Sequence, residues 1–263
     1  MRIKPSLAPR IPRIQSLARA SAILDIIARK GSASLAEISA ATGLNKSTAF
    51  YLVESLADLD LVERLEQRKG YCLGLRNLEL GRAVQRRLDI ATLGRASLVR
   101  LCHLSKETVN LAVPHVFDAM IVESLEGAYG VRATSYAGSR AAYHSTACGK
   151  AILAFLEEPV RRAIYEARGL PPVTANTVTR QDQLEDQLSM IRNDGYAIDN
   201  EENEIGANCV SVPILVGLSE VAGAISVSGL ASRMDRPKLV DLAAIIAHEA
   251  NAISILLGDR LGS

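Results

Sequence analysis

Hydrophobic residues near the start of the chain recur at the spacing of an amphipathic helix. This repeat predicts a first helix with Ser16 as its N-cap and Gly31 as its end, and its apolar stripe consists of Leu17, Ala20, Ile23, Leu24 and Ile27. Ser34 and Glu37 then have the spacing of a capping box, in which a hydroxyl and a carboxylate each satisfy a free amide at a helix start. A second helix is therefore expected to begin at Ser34 and to end at Gly43.

A third helix is predicted from Asn45 onward, in the stretch NKSTAFYLVESLADLD. Its apolar stripe consists of Ala49, Leu52, Val53, Leu56 and Leu59. Two short β-prone segments follow and flank a turn that contains Arg68, Lys69 and Gly70. Two helices joined by a tight glycine turn and followed by a basic hairpin are typical of a winged helix-turn-helix.

Helical spacing continues after the hairpin, with Gly81 and Gly94 as candidate breaks between helices. Farther on, the stretches TVNLAVPH, AMIVESLEG and VRATSYAG are β-rich, and helices are predicted to open at GKAILAFLEEP and, with a capping-type start, at Thr179. Three more strands are predicted at residues 195–199, 208–216 and 221–229, and a final helix from about residue 235 to 257. Hairpins rather than regular βαβ units favour an α+β fold with a mostly antiparallel sheet.

These patterns divide the 263 residues into four segments. They are a flexible basic arm over residues 1–12, a winged helix-turn-helix domain over 13–76, a linker helix over 77–88 and a second domain over 89–263. No apolar run approaches the ~20 residues of a membrane span and no signal-peptide core is present, so we expect a cytoplasmic protein without a membrane partner.

Charge separates the same two halves. Residues 1–87 carry 15 Lys and Arg against 8 Asp and Glu, whereas residues 88–263 carry 15 against 21, although the whole chain has a net charge of only +1. This asymmetry indicates that the basic part meets a polyanion. The candidate DNA contacts lie at the starts of the second and third helices and on the wing: Ser34, Asn45, Lys46, Ser47, Thr48, Tyr51, Arg64, Arg68 and Lys69.

The four cysteines, Cys72, Cys102, Cys148 and Cys209, form no C-x-x-C pair, and free thiols are expected. The four histidines have no zinc-binding spacing, so we predict neither a metal site nor a cofactor. Cys148 or Cys209 could be combined with His144 and Asp199 in a catalytic triad, but no recognised spacing supports it. An enzyme is the weaker alternative.

Alternation in the last predicted strands groups polar side chains. Val210, Val212 and Ile214 share one face, which leaves Cys209 and Ser211 on the other, and the same rule groups Ser226 with Ser228. If the two strands pair, a thiol and hydroxyls form either the floor of a small polar pocket or an ordinary solvent-facing strand. Met120, Leu125 and Tyr136 are candidates for shaping such a pocket or for the core.

Several stretches resemble the IclR-type transcriptional regulators over nearly the whole chain. They are SLARASAILDII, SLAEISAATGLNKSTAFYLVESL, KGYCLGLRNLELG, HSTACGKAILAFL and GYAIDNEENEIGANCVSVPI. The resemblance implies a winged helix, a linker helix and a GAF-like α/β effector-binding domain. It also implies a homodimer or dimer of dimers on a palindromic double-stranded DNA operator, typically a repressor of a catabolic operon.

The resemblance further implies that a small organic effector, a carboxylate or an aromatic compound, contacts Ala147, Cys148, Asp199, Cys209, Ser226 and Ser228. This chain departs from the family in its third helix. Tyr51 stands where an Arg is common, and Asn45 stands where Pro is frequent. Because a bidentate Arg–guanine pair contributes about 1–3 kcal/mol of discrimination, the operator sequence cannot be carried over from the family. A ligand-binding module whose winged helix contacts proteins is the second alternative.

Overall fold

A computed structural model describes residues 14–65, 70–85, 89–133, 135–217 and 220–261. The described residues form two compact units, one up to residue 85 and the other from residue 89 onward. The predicted segment boundaries at 12, 76 and 88 stay predictions, and the basic arm over 1–12 lies outside the described residues.

The described part of the first unit consists of four helices and a hairpin. Its elements are α1 (Gln15–Lys30), α2 (Leu35–Thr42), α3 (Lys46–Asp58), β1 (Val62–Leu65), β2 (Gly70–Leu73) and α4 (Arg76–Gln85). The hairpin strands are antiparallel, and Ala33 exchanges two backbone hydrogen bonds with Tyr71 of β2. These bonds fasten the turn before α2 to the hairpin.

Helix ends in this unit follow the predicted capping chemistry at three of four positions. Gly31 and Gly43 have φ angles of 74° and 68°, which residues with a Cβ rarely adopt, and they end α1 and α2. The capping box of Ser34 and Glu37 is present. The prediction for Ser16 was wrong: α1 has Ile14 as its N-cap, without a side-chain cap, and Ser16 lies inside the helix.

The core of the first unit is formed by one face each of α1, α2 and α3 and by the hairpin. Its buried residues are Ile23, Ile26, Ile27, Ala33, Ile38, Ala49, Val53, Leu56, Val62 and Tyr71. Leu17 and Leu59 continue the predicted stripes but lie at helix ends, where each is 63% exposed. Packing of these small apolar faces orients α3 with its opposite side toward solvent.

The second unit is a six-stranded sheet between two helical layers. It contains α5 (Asp89–Ser105), β3 (Thr108–Pro114), β4 (Ala119–Leu125), β5 (Arg140–Ala141), α6 (Ala147–Leu153), α7 (Glu158–Arg168), α8 (Gln181–Asp194), β6 (Ala197–Asn200), β7 (Ala207–Val216), β8 (Glu220–Leu230) and α9 (Arg236–Leu261). The strand order is β5-β4-β3-β8-β7-β6, and every described pair is antiparallel. The fold is therefore mixed α+β.

Three local predictions after the hairpin were wrong. Gly81 lies inside α4 and Gly94 inside α5, rather than at breaks between helices. A Cβ on Gly94 would lie 3.3 Å from the side chains of Leu111 and Ile253, so glycine permits a close approach of α5 there. The stretch 131–138 forms no strand among its described residues, and pairing begins only at β5. Helix α8 has Arg180 as its N-cap without a side-chain bond, so Thr179 does not cap it.

Helix α9 is long and apolar enough to cross a membrane by length and composition alone, which differs from the prediction that no segment is. Its apolar residues Leu239, Leu242, Ile246 and Ile253 are buried in the core against α5 and the sheet. The position of α9 over the sheet explains the buried part of its hydropathy, whereas other apolar residues of the helix, such as Ile255, are exposed.

Candidate functional site

Helix α3 presents a polar start and an exposed outer face. Asn45 is its N-cap, and its carboxamide oxygen accepts hydrogen bonds from the Thr48 amide at 2.8 Å and the Ser47 hydroxyl at 2.9 Å. The side chains of Lys46 and Ser47 are exposed. Tyr51, one turn beyond Ser47, is 70% exposed. The residues predicted to contact DNA on this helix therefore share an accessible surface.

The hydroxyl of Ser34 already makes hydrogen bonds within the first unit. Its hydroxyl accepts from the Glu37 amide and donates to the Glu37 carboxylate at 2.8 Å, and Lys30 Nζ contacts the same carboxylate at 2.8 Å. The hydrogen bond from Lys30, followed by those from Ser34, lowers the pKa of Glu37 to about 2. Ser34 thus fixes the start of α2, and a DNA contact by its hydroxyl would compete with this cap.

The wing is described only in part. Arg64 lies on β1 with an exposed side chain. Arg68 and Lys69 fall between β1 and β2, outside the described residues, so their role stays a prediction.

Strand register brings the predicted effector residues to one face of the large sheet. Asp199 of β6 pairs with Cys209 of β7, and Cys209 pairs with Ser228 of β8. In the next row, Ser211 pairs with Ser226. The Ser228 hydroxyl donates to Cys209 Sγ at 2.9 Å. Pairing partners in an antiparallel sheet point to the same side, so these side chains form one polar patch.

The opposite face is apolar, as strand alternation predicts. Val210, Val212 and Ile214 lie in the core with Ile225 and Val227, beneath α5 and α9. Met120 and Leu125 pack against this same core, and Tyr136 is 65% exposed. Met120 and Leu125 therefore belong to the core and do not line the polar patch.

Asp199 is a buried carboxyl at one edge of the patch. Its Oδ1 accepts hydrogen bonds from the backbone amides of Glu202 at 2.8 Å and Asn203 at 3.2 Å. Burial is the largest influence and raises the pKa of Asp199 to about 7, against the lowering effects of these amides and of Lys150. The side chain can therefore be either an acid or a carboxylate near neutral pH.

The start of α6 lies against the same part of the sheet. Thr146 caps the helix by accepting from the Gly149 amide at 3.0 Å, and α6 packs on β6, β7 and β8. Ala147 and Cys148, the first two helical residues, are buried. A Cβ on Gly149 would lie 2.2 Å from the carbonyl oxygen of Ala142, so only glycine permits this close approach.

A buried ion pair between Lys150 and Glu202 lies next to the start of α6 and Asp199. Lys150 Nζ contacts Glu202 Oε1 at 2.5 Å and Gln187 Oε1 at 3.1 Å. Both charged side chains are almost fully buried, at 2% and 8% exposure. The backbone amide of Glu202 also donates a hydrogen bond to Asp199. The ion pair of Lys150 and Glu202 therefore connects α6 to the carboxyl of the patch.

The two thiols near the patch are unsuited to nucleophilic attack at neutral pH. Burial raises the pKa of Cys148 to about 11, and burial followed by the charge of Asp199 raises the pKa of Cys209. The hydrogen bond of His144 Nε2 goes to the carbonyl oxygen of Pro171 at 2.9 Å. Among the described residues, no histidine is hydrogen-bonded to either thiol, and no group of His, Cys, Asp and Glu could hold a metal ion.

Two further polar residues of the patch were missed. Thr108 pairs with Ser228 and Asn110 pairs with Ser226, which extends the polar rows onto β3. Asn110 Oδ1 accepts from the hydroxyls of Ser124 at 2.8 Å and Ser135 at 2.6 Å. The alternation in TVNLAVP, with Val109, Leu111 and Val113 buried in the core, could have placed them on the opposite face of β3, but not beside Ser226 and Ser228.

A separate cleft of about 240 Å3 lies between α7 and the segment around Tyr143. Its walls include Phe117, Ile164 and Leu170, with Asp118 and Arg168 paired at 2.8 Å. None of the predicted effector residues lines it. No pattern along the chain predicts this cleft.

Comparison with known proteins agrees with both units. The family model of the IclR helix-turn-helix domain matches residues 16–66, and that of the bacterial transcriptional regulator IclR C-terminal domain matches residues 82–255. The chain belongs to the IclR family of transcriptional regulators. It is thus a DNA-binding transcription regulator, and the family predicted from the sequence is confirmed.

Relatives in the IclR family match along almost their whole length. The HTH-type transcriptional regulator XynR of Escherichia coli K12 is 32% identical over 94% of this chain and 99% of its own length. The HTH-type transcriptional repressor AllR of the same strain is 33% identical over 93% and 90%. The crystal structure of the Thermotoga maritima IclR has 33% identity and a TM-score of 0.73, covering 93% of this chain and 99% of its own. The predicted fold class is confirmed.

Proposed function

We propose that this regulator represses a catabolic operon in the cytoplasm, as a homodimer or dimer of dimers on a palindromic operator, under the control of a small organic effector. The name of AllR as a repressor supports the direction of regulation. The observation that carries effector control is the convergence of Asp199, Cys209, Ser226 and Ser228 on one face of the sheet, opposite the start of α6.

The chemistry of the patch favours a carboxylate or carbonyl compound. The Ser228 hydroxyl can exchange its hydrogen bond to Cys209 for one to a ligand, and Ser226 carries a second hydroxyl. The backbone amides of Ala147 and Cys148 open a helix. Such donors bind an anionic or carbonyl oxygen without a cation. The buried cation nearby, Lys150, is already paired with Glu202. Protonated Asp199 adds another donor, whereas ionised Asp199 disfavours an anion, so binding is expected to tighten below about pH 7.

The mechanism we propose is thermodynamic linkage. An effector that binds one arrangement of the dimer better than another shifts the population toward it. The same free energy then changes the affinity for the operator, because coupling between two sites is reciprocal. This mechanism requires no catalytic step. The raised pKa values of the Cys148 and Cys209 thiols support a binding role for the polar patch.

Removing the donors of the patch is expected to weaken effector binding at least tenfold. Pyruvate and benzoate are the probes for a small and an aromatic carboxylate, with pyruvamide and benzamide as uncharged counterparts, and calorimetry measures the affinities. Ser228→Ala should weaken the carboxylate that binds, because a hydrogen bond to a charged group contributes about 1.5–3 kcal/mol.

Ser254→Ala is the matched control for Ser228→Ala. Its hydroxyl donates to the Leu215 carbonyl from α9, on the apolar side of the sheet. Carboxylate affinity should stay unchanged in this variant. Equal affinities in the Ser228→Ala and Ser254→Ala proteins would contradict the site, and steady turnover of the bound compound would favour an enzyme.

For the first unit, we propose that the start of α3 enters the major groove while Lys46, Arg64, Arg68 and Lys69 contact phosphates. Lys46→Ala should weaken binding to the DNA upstream of the chain's own gene and reduce the salt slope by about one. Fluorescence anisotropy titrations at salt concentrations from about 50 to about 200 mM measure both the affinity and its salt slope. Wild-type protein that shows no salt-sensitive binding would contradict the DNA interface and favour protein contacts by the wing.

A further inference from the structure

Helix α3 carries a pair of adjacent aromatic residues at the surface. The ring centroids of Phe50 and Tyr51 are 5.9 Å apart and their planes meet at 67°, an edge-to-face contact. Phe50 is 37% and Tyr51 is 70% exposed. The other two phenylalanines of the chain, Phe117 and Phe155, pack against the core of the second unit. The fold of the first unit therefore does not require a ring at position 50 or 51.

The rings lie on the accessible side of the helix. Ala49, Val53 and Leu56 are buried in the core, and a rotation of 100° per residue places Ser47 and Tyr51 opposite them. Phe50 lies beside Tyr51 on the flank. In a helix-turn-helix, side chains near the start of the second helix reach the base edges. Ser47, Phe50 and Tyr51 occupy these positions.

Helix α3 contains no arginine, the side chain that most often contacts guanine in the major groove. Of its 13 residues, Lys46 is the one cation, and it is the first residue of the helix. Glu54 is acidic and accepts a hydrogen bond from the Tyr71 hydroxyl at 3.4 Å. The helix thus has no arginine fork for O6 and N7 of guanine, and its outer face carries a hydroxyl, the two rings and, one turn farther on, the half-buried Glu54 carboxylate.

We propose that Phe50 and Tyr51 read thymine, by packing their rings against 5-methyl groups in the major groove. Thymine is the base that presents an apolar group there, and apolar side chains contact it. The polar start of α3, with its exposed Lys46 and positive dipole end, favours a nucleic acid over an apolar protein surface. The inference rests on the proposed placement of α3 in the groove.

The test removes the methyl groups and keeps every hydrogen-bonding atom of the bases. The region upstream of the gene that the protein protects from nuclease is synthesised with thymine and with uracil at each T position. Each contacted methyl that is lost should weaken wild-type binding about fourfold, the effect of burying one CH2-sized group. Anisotropy at one fixed salt concentration gives the ratio of the two affinities.

The same ratio is measured for three variants. In Tyr51→Ala and Phe50→Ala the preference for thymine should fall toward one, whereas in Lys46→Ala both affinities should fall and the ratio should stay at its wild-type value. Circular dichroism checks that the exposed substitutions leave the fold intact. A wild-type ratio of one, or a ratio that persists in the double variant Phe50→Ala/Tyr51→Ala, overturns the inference. Wild-type protein that binds neither DNA contradicts the proposed groove placement itself.

Discussion

Replacing Lys150 by methionine is expected to lower the free energy of unfolding of the second unit by about 3–5 kcal/mol. Methionine fills a similar volume, but it removes the ammonium group that contacts Glu202 at 2.5 Å and Gln187 at 3.1 Å. Glu202 is buried, so its carboxylate would be left without its cation. Guanidinium denaturation of the wild type and of Lys150→Met at pH 7 measures the difference.

Two controls separate the loss of the ion pair from the loss of packing. In the double variant Lys150→Met/Glu202→Gln neither member of this pair is charged, and most of the lost stability should return. Arg162→Met breaks an exposed pair with Glu158, in which both side chains are about two thirds exposed, and should change stability little. Equal losses in Lys150→Met and in the double variant would mean that packing, and not charge, explains the effect.

The same substitution connects stability to the proposed pocket. Glu202 follows β6, and its backbone amide donates to Asp199 at 2.8 Å. Loosening Glu202 therefore disturbs the carboxyl at the edge of the patch. Lys150 lowers the pKa of Asp199, whereas the charge of Glu202 raises it, so Lys150→Met should keep Asp199 protonated to a higher pH. The pH above which carboxylate binding weakens is therefore expected to rise in this variant.

Local signals in the sequence predicted most element types. The capping box at Ser34 and the glycines at 31 and 43 carry information within a few residues, and the helices end there as predicted. Alternation also predicted which residues of β7 share a face. Gly94 failed as a signal because its reason is tertiary: it lets α5 approach Leu111 and Ile253. No window along the chain shows that contact.

The sequence predicted which residue types form the candidate site, but not the strand and the ion pair that lie beside them. The strands β7 and β8 are adjacent in the chain, so parity was sufficient to group Cys209 and Ser228 on one face, although it did not predict that the two residues pair. The strand β3, which adds Thr108 and Asn110, is separated from β8 by more than a hundred residues, and its register cannot be read from alternation alone. Lys150 lies in GKAILAFL, where a lysine suggests a solvent-facing position, and only the fold brings Glu202 to it.

Asparagine at position 199 is expected to stabilise the protein at pH 8 and to lose this advantage as the pH falls toward 4. Burial raises the pKa of Asp199 from 3.8 to about 7, so the folded protein binds this proton more tightly than the unfolded chain does. A raised carboxyl pKa means that its contribution to stability is present at low pH and is lost as the pH rises through about 7. These two pKa values correspond to a difference on the order of 4 kcal/mol at most.

The measurement is the difference in unfolding free energy between Asp199→Asn and wild type from pH 4 to pH 8, in which the titration of other groups cancels. The asparagine oxygen can still accept from the amides of Glu202 and Asn203, so the backbone contacts are kept. Asp182→Asn is the matched control. Its hydrogen bond from Arg180 lowers the pKa of Asp182 to about 2, so its stability difference should be flat from pH 5 to pH 8 and change only in acid.

A difference for Asp199→Asn that does not vary with pH would contradict a buried carboxyl titrating near neutrality. A difference that rises with pH would also bear on ligand binding, because ionised Asp199 repels an anionic ligand whereas protonated Asp199 can donate a hydrogen bond to it. Wild-type affinity for a carboxylate should then fall as the pH rises through 7, while Asp199→Asn should bind with little dependence on pH. Stability and binding would thus report the same proton on the same side chain.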